Sequence, residues 1–189
     1  MTGQLSAGLP DEAFASDGLL TKRVLRAAAL AWLAPRRDEL LWDLGAGTGS
    51  ISIEWCRLWQ TNHSIAVERN PERVARIRHN ADAHGVGSRV DVVTADIRTA
   101  LPLLPVPHAI FLGGGIEQEV LDAGWAALLP GGRFVAHSVT AESDALLLDA
   151  HRTLGGELTR ISVETAEPIG RFTGFRPART VTAWAATKD

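Results

Sequence analysis

The stretch Leu41-Trp42-Asp43-Leu44-Gly45-Ala46-Gly47-Thr48-Gly49 decides the fold of this chain. A short apolar run ends in an acid, and three glycines follow at alternate positions. Glycine allows a tight turn from a strand into a helix and lets a ligand approach the main chain closely. The start of the following helix adds unpaired N–H groups and the positive end of the helix dipole. The stretch therefore predicts a strand, a ligand-binding loop and a helix.

The glycine spacing separates two kinds of cofactor loop. A dinucleotide-binding loop follows G-x-G-x-x-G, but the third position is Ser50 when counted from Gly45 and Ser52 when counted from Gly47. The pattern G-x-G-x-G, with an acid two residues ahead, instead resembles the first cofactor loop of class I S-adenosylmethionine (SAM) methyltransferases. A glycine-rich turn that binds nothing is the remaining interpretation, and acids placed farther along the chain disfavour it.

Composition and charge limit the class of protein. The chain has 189 residues, 46% of them hydrophobic, which favours one folded α/β domain over disorder. A net charge of −3 argues against a nucleic-acid partner. No apolar run is long enough to span a bilayer and no signal peptide precedes the domain, so we predict no membrane association and a cytoplasmic location. The single cysteine, Cys56, is predicted to be a small buried residue, and the histidine spacing predicts no metal site.

Strand and helix patterns alternate from residue 40 to residue 154, which predicts a parallel, doubly wound sheet. An irregular arm of residues 1–20 precedes a single domain of residues 21–189. Two strand-like runs, 157–166 and 180–187, flank a loop from Pro168 to Arg179 and suggest a terminal antiparallel hairpin. The predicted strands are 40–44, 64–68, 90–94, 109–112 and 133–138, and the predicted helices are 21–34, 50–59, 71–85, 116–129 and 141–154. The prediction is a seven-stranded Rossmann-like methyltransferase sheet with a C-terminal hairpin.

Candidate cofactor residues lie where strands end, because ligands bind beyond the carboxyl ends of strands in such sheets. Glu68 ends the second strand and is suited to accept hydrogen bonds from ribose hydroxyls. Asp96 follows the third strand and could accept from an adenine amino group beside Ile97, or it could cap a helix. Asp43 could face the cationic end of SAM or brace the glycine loop. The Gly113-Gly114-Gly115 run either admits a ligand to the backbone or forms a flexible turn.

Segments along nearly the whole chain carry a second, more specific resemblance. Besides the glycine loop they are Gly8-Leu9-Pro10-Asp11, Asp17-Gly18, Leu20-Thr21-Lys22, Ile53-Glu54-Trp55, Phe111-Leu112-Gly113-Gly114-Gly115, Gly155-Gly156-Glu157-Leu158 and Phe175-Arg176-Pro177-Ala178. With these segments the chain resembles the C-terminal carbon-15 methyltransferase/decarboxylase domain family of precorrin-6Y C(5,15)-methyltransferases. It departs from that family at His137-Ser138, where an Asn or Asn-Ala is expected before Val139-Thr140.

The resemblance implies a cofactor, a reaction and partners. It adds Thr21 to a SAM site formed by Gly45, Ala46, Gly47, Thr48, Gly49, Glu68, Asp96 and Ile97. It implies methylation of carbon 15 of a precorrin, a carboxylate-rich tetrapyrrole, with decarboxylation of the carbon 12 acetate in cobalamin biosynthesis. It also implies a companion methyltransferase domain or subunit and a homotetramer.

Catalytic and substrate-binding residues are hypotheses from chemistry. Asp17 and His137 are candidate proton donors for the decarboxylation, although Asp17 could simply be a turn or cap residue. A cationic rim for substrate carboxylates could be formed by Lys22, Arg23, Arg171, Arg176 and Arg179, because arginine binds carboxylates in a bidentate manner and no acid lies between Pro168 and Thr180. The alternative is that these residues belong to an ordinary solvent-exposed loop.

Two other functions compete with this interpretation. One is a methyltransferase that acts on RNA or on another small metabolite; the absence of any tyrosine disfavours a base-recognition motif of the Asn-Pro-Pro-Tyr type. The other is a non-enzymatic module that uses the same fold as an interaction surface, which would not bind SAM.

Overall fold

The computed structural model describes residues 7–189. Each predicted strand and helix between residues 40 and 154 is present, with ends that differ from the prediction by at most two residues. The helices are α1 Arg23–Leu33, α2 Ser50–Leu58, α3 Pro71–Ala83, α4 Ile97–Ala100, α5 Gln118–Ala127 and α6 Ala141–Leu154. The strands are β1 Leu40–Leu44, β2 His63–Glu68, β3 Val90–Thr94, β4 Ala109–Leu112, β5 Arg133–Ser138, β6 Glu157–Ile161, β7 Glu164–Ile169, β8 Phe172–Pro177 and β9 Val181–Thr187.

The main sheet has seven strands in the order β3-β2-β1-β4-β5-β9-β6. Strands β1 to β5 are parallel, and β9 runs antiparallel between β5 and β6. This arrangement confirms the predicted doubly wound sheet and its C-terminal antiparallel pair. The strand order reverses at β1, which lies between β2 and β4, so the ligand crevice is expected at the carboxyl ends of these strands.

Helices cover both faces of the sheet. On one face, Leu33 of α1, Trp55 of α2 and Ile77 of α3 belong to one fully buried cluster. On the other face, Leu121 of α5 and Leu147 of α6 belong to a second cluster. Central strands buried on both faces read as continuous apolar runs, which is why the sequence pattern located them so accurately.

The segment predicted as a loop between Pro168 and Arg179 is instead mostly a strand pair. Strands β7 and β8 form a separate two-stranded antiparallel sheet. The prediction was wrong because Pro168 and Gly170 interrupt the alternating pattern, although both are tolerated at the tip of an exposed hairpin. The hairpin leaves Ile169, Phe172 and Phe175 between 61% and 69% exposed.

The N-terminal arm, as far as it is described, lies against the helical layer. It contains one short 3₁₀ turn, Asp11–Ala13, followed by the buried Phe14. Glu54 of α2 accepts hydrogen bonds from the backbone N–H groups of Gly8 and Leu9 and from Arg26 Nε. The first six residues of the predicted arm lie outside the described residues, and the division between arm and domain stays a prediction.

Within residues 7–189, each helix falls short of the length and hydrophobicity needed to cross a bilayer.

Candidate active site

A cavity of about 710 Å³ opens at the carboxyl ends of the parallel strands. Nine of the ten residues predicted to bind the cofactor lie in its wall: Thr21, Asp43, Gly45, Ala46, Gly47, Thr48, Glu68, Asp96 and Ile97. The tenth, Gly49, is not part of the wall. The fold therefore brings together residues that precede α1 and residues at or after the ends of β1, β2 and β3, and their individual roles stay predictions.

Gly45 and Gly49 serve different purposes in the glycine loop. Both have positive φ angles, +72° and +75°, which L side chains rarely adopt. A Cβ on Gly45 would lie 3.0 Å from the carbonyl oxygen of Gly114, so this glycine lets the loops after β1 and β4 approach each other. A Cβ on Gly49 would lie 2.7 Å from Ile77 Cγ2. Gly49 is thus needed for packing between α2 and α3 and does not face the cavity.

Asp43 is buried at the end of β1 and supports the helix that follows. Its Oδ2 atom accepts hydrogen bonds from the backbone N–H of Ser52 at 3.1 Å and from Ser52 Oγ at 2.7 Å. The carboxylate thereby satisfies a free N–H of the first turn of α2, where the N-cap is Gly49 and has no side chain. Burial raises the pKa of Asp43 to about 6. Asp43 therefore braces the loop, and its Oδ1 atom has no hydrogen bond in the described part of the chain.

Glu68 joins the glycine loop to the end of β2. Its Oε2 accepts from Gly47 N at 3.0 Å, and its Oε1 accepts from Asn70 N at 2.9 Å. The residue is 6% exposed and lines the cavity. Because each carboxylate oxygen has more than one lone pair, these bonds leave acceptor capacity for a ligand. The geometry is compatible with the predicted ribose contact.

Asp96 caps a helix, as one of the two predicted alternatives requires, and its contact with adenine stays a prediction. It accepts a hydrogen bond from Arg98 N at 3.0 Å as the N-cap of α4, and it lines the cavity. That backbone hydrogen bond and the Arg98 side chain lower its pKa, so the carboxylate is ionised at neutral pH. A cap residue that also faces the cavity retains a free oxygen for an adenine contact.

The structure contradicts Asp17 as a proton donor. Its Oδ2 lies 3.0 Å from Arg73 Nε and 3.1 Å from Arg76 Nη1. The hydrogen bond from Arg73, together with one from Leu19 N, lowers the pKa of Asp17 to about 2. The group is therefore ionised at neutral pH, and it is not part of the cavity wall. The turn interpretation is the better one, since Asp17 Oδ1 accepts from Leu19 N at 3.1 Å.

His137 lies in the cavity wall at the end of β5 and is 8% exposed. Its ring is edge-on to Phe111 at a centroid distance of 5.2 Å, and Trp32 lies 6.5 Å away. Burial lowers the pKa of His137 to about 4, and Nε2 is buried without a hydrogen-bond partner in the described residues. The unliganded imidazole is therefore neutral at pH 7, which corrects the expectation of a ready-made acid.

Only part of the predicted cationic rim lies in the cavity wall. Arg171 stacks over the Phe172 ring, and Arg176 Nε pairs with Glu167 Oε2 at 3.0 Å on the hairpin. Neither residue lines the cavity, whereas Lys22, Arg69, Arg73, Arg98 and Arg179 do. Arg69 directly follows the end of β2 and Arg98 follows Asp96, so attention to strand ends could have identified both. Arg179 makes no ion pair within residues 7–189.

Gly113 and Gly114 form part of the cavity wall after β4. A Cβ on Gly114 would meet nothing within 4 Å, so open space lies beside its backbone. A Cβ on Gly113 would lie 2.9 Å from Phe111 Cε1. The pair therefore allows a ligand to approach the main chain, as one of the two predicted alternatives requires.

Cys56 lies in the core and faces no cavity. Burial raises the pKa of its thiol to about 12, which confirms the predicted structural role. Among the described residues, no group of three or more His, Cys, Asp or Glu side chains could hold a metal ion.

Comparisons with known proteins identify the family. Residues 12–188 match a model described as a precorrin methyltransferase domain. A precorrin-6Y C(5,15)-methyltransferase [decarboxylating] from a Sinorhizobium sp is 50% identical over 97% of this chain and 45% of its own length. A protein from Pyrobaculum calidifontis, named "Probable cobalt-precorrin-6B C(15)-methyltransferase (decarboxylating)", is 33% identical over 94% of this chain and 96% of its own length.

A solved structure supports the same assignment. The C-terminal domain of precorrin-6Y C5,15-methyltransferase from Rhodobacter capsulatus has a TM-score of 0.92 and 43% identity, covering 97% of this chain and 98% of that one. The chain spans about half the length of the first curated relatives, at 45% of each. On the family model, the relatives and the shared architecture, the chain belongs to the precorrin methyltransferase domain family.

Proposed function

We propose that this chain is an enzyme that methylates carbon 15 of a precorrin with SAM and decarboxylates the carbon 12 acetate, in cobalamin biosynthesis. One observation carries the proposal: a single cavity joins a glycine loop flanked by acids to an end that holds a buried histidine and free cations. The end with the glycine loop suits a cationic methyl donor, and the end with the histidine suits a carboxylate-rich acceptor. The names of the relatives supply the acceptor and the paired reaction.

The wall residues fit SAM in charge and in shape. SAM carries a sulfonium and an ammonium group, and Asp43, Glu68 and Asp96 place carboxylates along the cavity. When bound, SAM supplies a methyl group that is already activated for transfer. The chain has to align donor and acceptor and exclude water, and we assign this task to the glycine loop and to residues 18–22 of the cavity wall.

Substrate carboxylates require cations in the cavity wall. We assign this role to Lys22 and Arg179 in place of Arg171 and Arg176, since only the first two line the cavity. The Lys22 side chain is 58% exposed and lies 3.7 Å from Asp11, a loose pair that a ligand carboxylate can replace. The Gly113-Gly114 backbone gives the macrocycle room to approach.

His137 is the proposed proton carrier for the decarboxylation. A carboxylate bound beside it favours the cationic imidazolium, so the acceptor itself would raise the pKa of the histidine. As the carbon–carbon bond to the carboxylate breaks, carbon dioxide leaves and the electron pair enters the conjugated macrocycle. His137 then delivers its proton to the carbon that has lost the carboxylate.

Partners are also part of the proposal. The first relatives are about twice as long as this chain, which supports a companion methyltransferase domain or subunit. The exposed apolar side chains of the β7–β8 hairpin support self-association, for which we propose a homotetramer. Sedimentation of Phe172→Ser compared with the wild type tests that assembly. The cytoplasmic location stays a prediction.

The decisive experiment incubates the protein with the precorrin acceptor and two labels, one in the methyl group of SAM and one in the acetate carboxyl. We expect label in the tetrapyrrole and labelled carbon dioxide. Calorimetry with S-adenosylhomocysteine (SAH) runs in parallel as a test of the cofactor site. Binding of SAH with neither product would reject the acceptor, and methylation of RNA instead would favour the rival function.

A further inference from the structure

Residues 16–22, here called the cover segment, form one side of the cavity. Its residues Gly18 to Lys22 all line the cavity wall. The carbonyl oxygen of Leu19 lies 3.7 Å from where a Cβ of Gly47 would be, so the segment passes directly over the glycine loop. A ligand held by that loop would therefore lie beneath the cover segment.

Both ends of the cover segment are fixed by hydrogen bonds to other parts of the chain. Before it, Asn80 accepts from Ala15 N at 2.9 Å and donates to Ala15 O at 3.0 Å. At its other end, the Thr21 carbonyl accepts from Arg26 Nη1, and Arg23 N donates to Asp11 Oδ1 at 2.9 Å. These contacts do not involve the middle of the segment.

Asp17 makes the only polar contacts between residues 16–20 and another element in the described part of the chain. They join it to Arg73 and Arg76, which lie one turn apart on α3. The remaining hydrogen bonds of this stretch are local: Gly18 N donates to Ser16 Oγ, and Leu19 N donates to Asp17 Oδ1. One carboxylate thus connects the middle of the cover segment to the body of the domain.

We propose that Asp17 is a positioning residue that fastens the cover segment to α3 and so holds SAM in the cavity. The inference rests on the proposed function, because it takes SAM as the ligand under the cover. Asp17 does not line the cavity, so its influence passes through Leu19 and Thr21, which do. Without the two ion pairs, the segment would have to be ordered when the ligand binds, at the expense of affinity.

The location of the ion pairs predicts that ligand binding, and not folding, depends on them. The side chains of Asp17, Arg73 and Arg76 are 31%, 27% and 21% exposed. Ion pairs this accessible contribute little to global stability and are weakened by salt. The two fixed ends keep the arm in place when Asp17 is replaced.

The test compares Asp17→Asn with Glu12→Gln, which removes an exposed carboxylate from the same arm without breaking an ion pair. Calorimetry with SAH and with SAM measures affinity, and thermal unfolding measures stability. We expect Asp17→Asn to weaken both ligands about tenfold and to raise KM for SAM, with kcat and Tm nearly unchanged. Glu12→Gln should match the wild type, and Asp17→Glu should recover part of the loss.

Two further readouts separate fastening from a general structural effect. Wild-type affinity should fall when salt rises from about 50 mM to about 500 mM, and Asp17→Asn should lose most of that dependence. Arg76→Gln, at a position outside the cavity wall, should reproduce the loss of affinity. The double variant Asp17→Asn/Arg76→Gln should bind no more weakly than either single variant. Arg76→Gln also serves as the test if Asp17→Asn does not fold.

The outcomes are distinguishable. If the wild type binds neither SAM nor SAH, the proposed function fails. If the wild type binds SAH and both Asp17→Asn and Arg76→Gln bind it equally well, the fastening role is overturned. An unchanged affinity with a large loss of carbon dioxide release at saturating SAM would overturn it too, because that result places Asp17 in the chemistry.

Discussion

The two ends of the cavity are built in opposite ways. At the end formed by β1 and β2, the carboxylates of Asp43 and Glu68 already accept hydrogen bonds from Ser52, Gly47 and Asn70. At the end formed by β5 and β9, the Nε2 atom of His137 has no partner and Arg179 has no ion pair in the described residues.

This difference shows which part of the site is already formed before a ligand binds. A buried polar group without a hydrogen bond is costly, so the free imidazole nitrogen marks a position where a ligand is expected. The β1–β2 end has the opposite character, because its backbone and carboxylates hold one another in place. The proposed cofactor end is thus preorganised, and we expect the acceptor to complete the proposed acceptor end.

The largest effect is expected from breaking the support of the cofactor end. Glu54→Ala removes the buried partner of the fully buried Arg26, leaves it only the partly exposed Asp11 as an ionic partner, and removes the acceptor of Gly8 and Leu9. Loss of one member of a buried ion pair costs about 3–5 kcal/mol of unfolding free energy. Denaturant titration measures this, with Glu12→Ala as the exposed control. A loss below about 1 kcal/mol would mean that the arm does not depend on this buried pair.

The second test replaces glycines on either side of one close contact. Gly45→Ala places a side chain at a φ of +72° and 3.0 Å from the Gly114 carbonyl, whereas Gly114→Ala meets open space. The left-handed conformation alone costs about 1–2 kcal/mol. We expect Gly45→Ala to lose stability and SAH affinity, with Gly114→Ala close to the wild type in both. Equal effects of the two variants would contradict a preformed glycine loop.

The third test uses the raised pKa of Asp43, about 6. The ordinary value is 3.8, so the protonated form stabilises the folded state, and that contribution is lost as pH rises through about 6. SAM has a sulfonium charge that SAH lacks and should favour the ionised carboxylate. We expect the affinity of SAM relative to SAH to rise about fivefold to tenfold between about pH 5 and pH 7. Asp43→Asn should abolish the change; a ratio independent of pH in the wild type would separate Asp43 from the sulfonium.

The smallest effect concerns the acceptor end. Arg179→Gln removes a cation from the cavity wall, and Arg176→Gln removes one from the adjacent hairpin, where it pairs with Glu167. An exposed guanidinium contributes about 1 kcal/mol to carboxylate binding, so KM for the precorrin should rise several-fold in Arg179→Gln only. SAH affinity should be unchanged in both variants. Equal KM values for the two variants would contradict the placement of Arg179 in the proposed acceptor site.

Local sequence signals predicted the elements that lie nearest to the cofactor end. Apolar runs located the central strands β1, β4 and β5 to the residue, because strands buried on both faces tolerate few polar side chains. Asn70-Pro71 located the start of α3, where Asn70 Oδ1 accepts from Glu72 N and Arg73 N. The glycine spacing predicted the loop, since its conformation depends on which residues lack a Cβ.

The sequence could not show contacts of the predicted site residues whose partners are distant in the chain. Asp17 looked like a free acid because Arg73 and Arg76 follow it by more than fifty residues. Gly49 looked like a cofactor residue because Ile77, against which it packs, belongs to another helix. The hairpin of β7 and β8 moved Arg171 and Arg176 off the cavity and left Arg179 on it.

The sequence by itself determined the family, the order of strands and helices, and the loop at the end of β1, because these follow from periodicity and from glycine and proline chemistry within short windows. The tertiary structure alone decided which charges are paired, which histidine nitrogen is left without a partner, and which cations reach the cavity. Those properties depend on distances between residues far apart in the chain, and on burial, which shifts the pKa of Asp43 and of His137 in opposite directions.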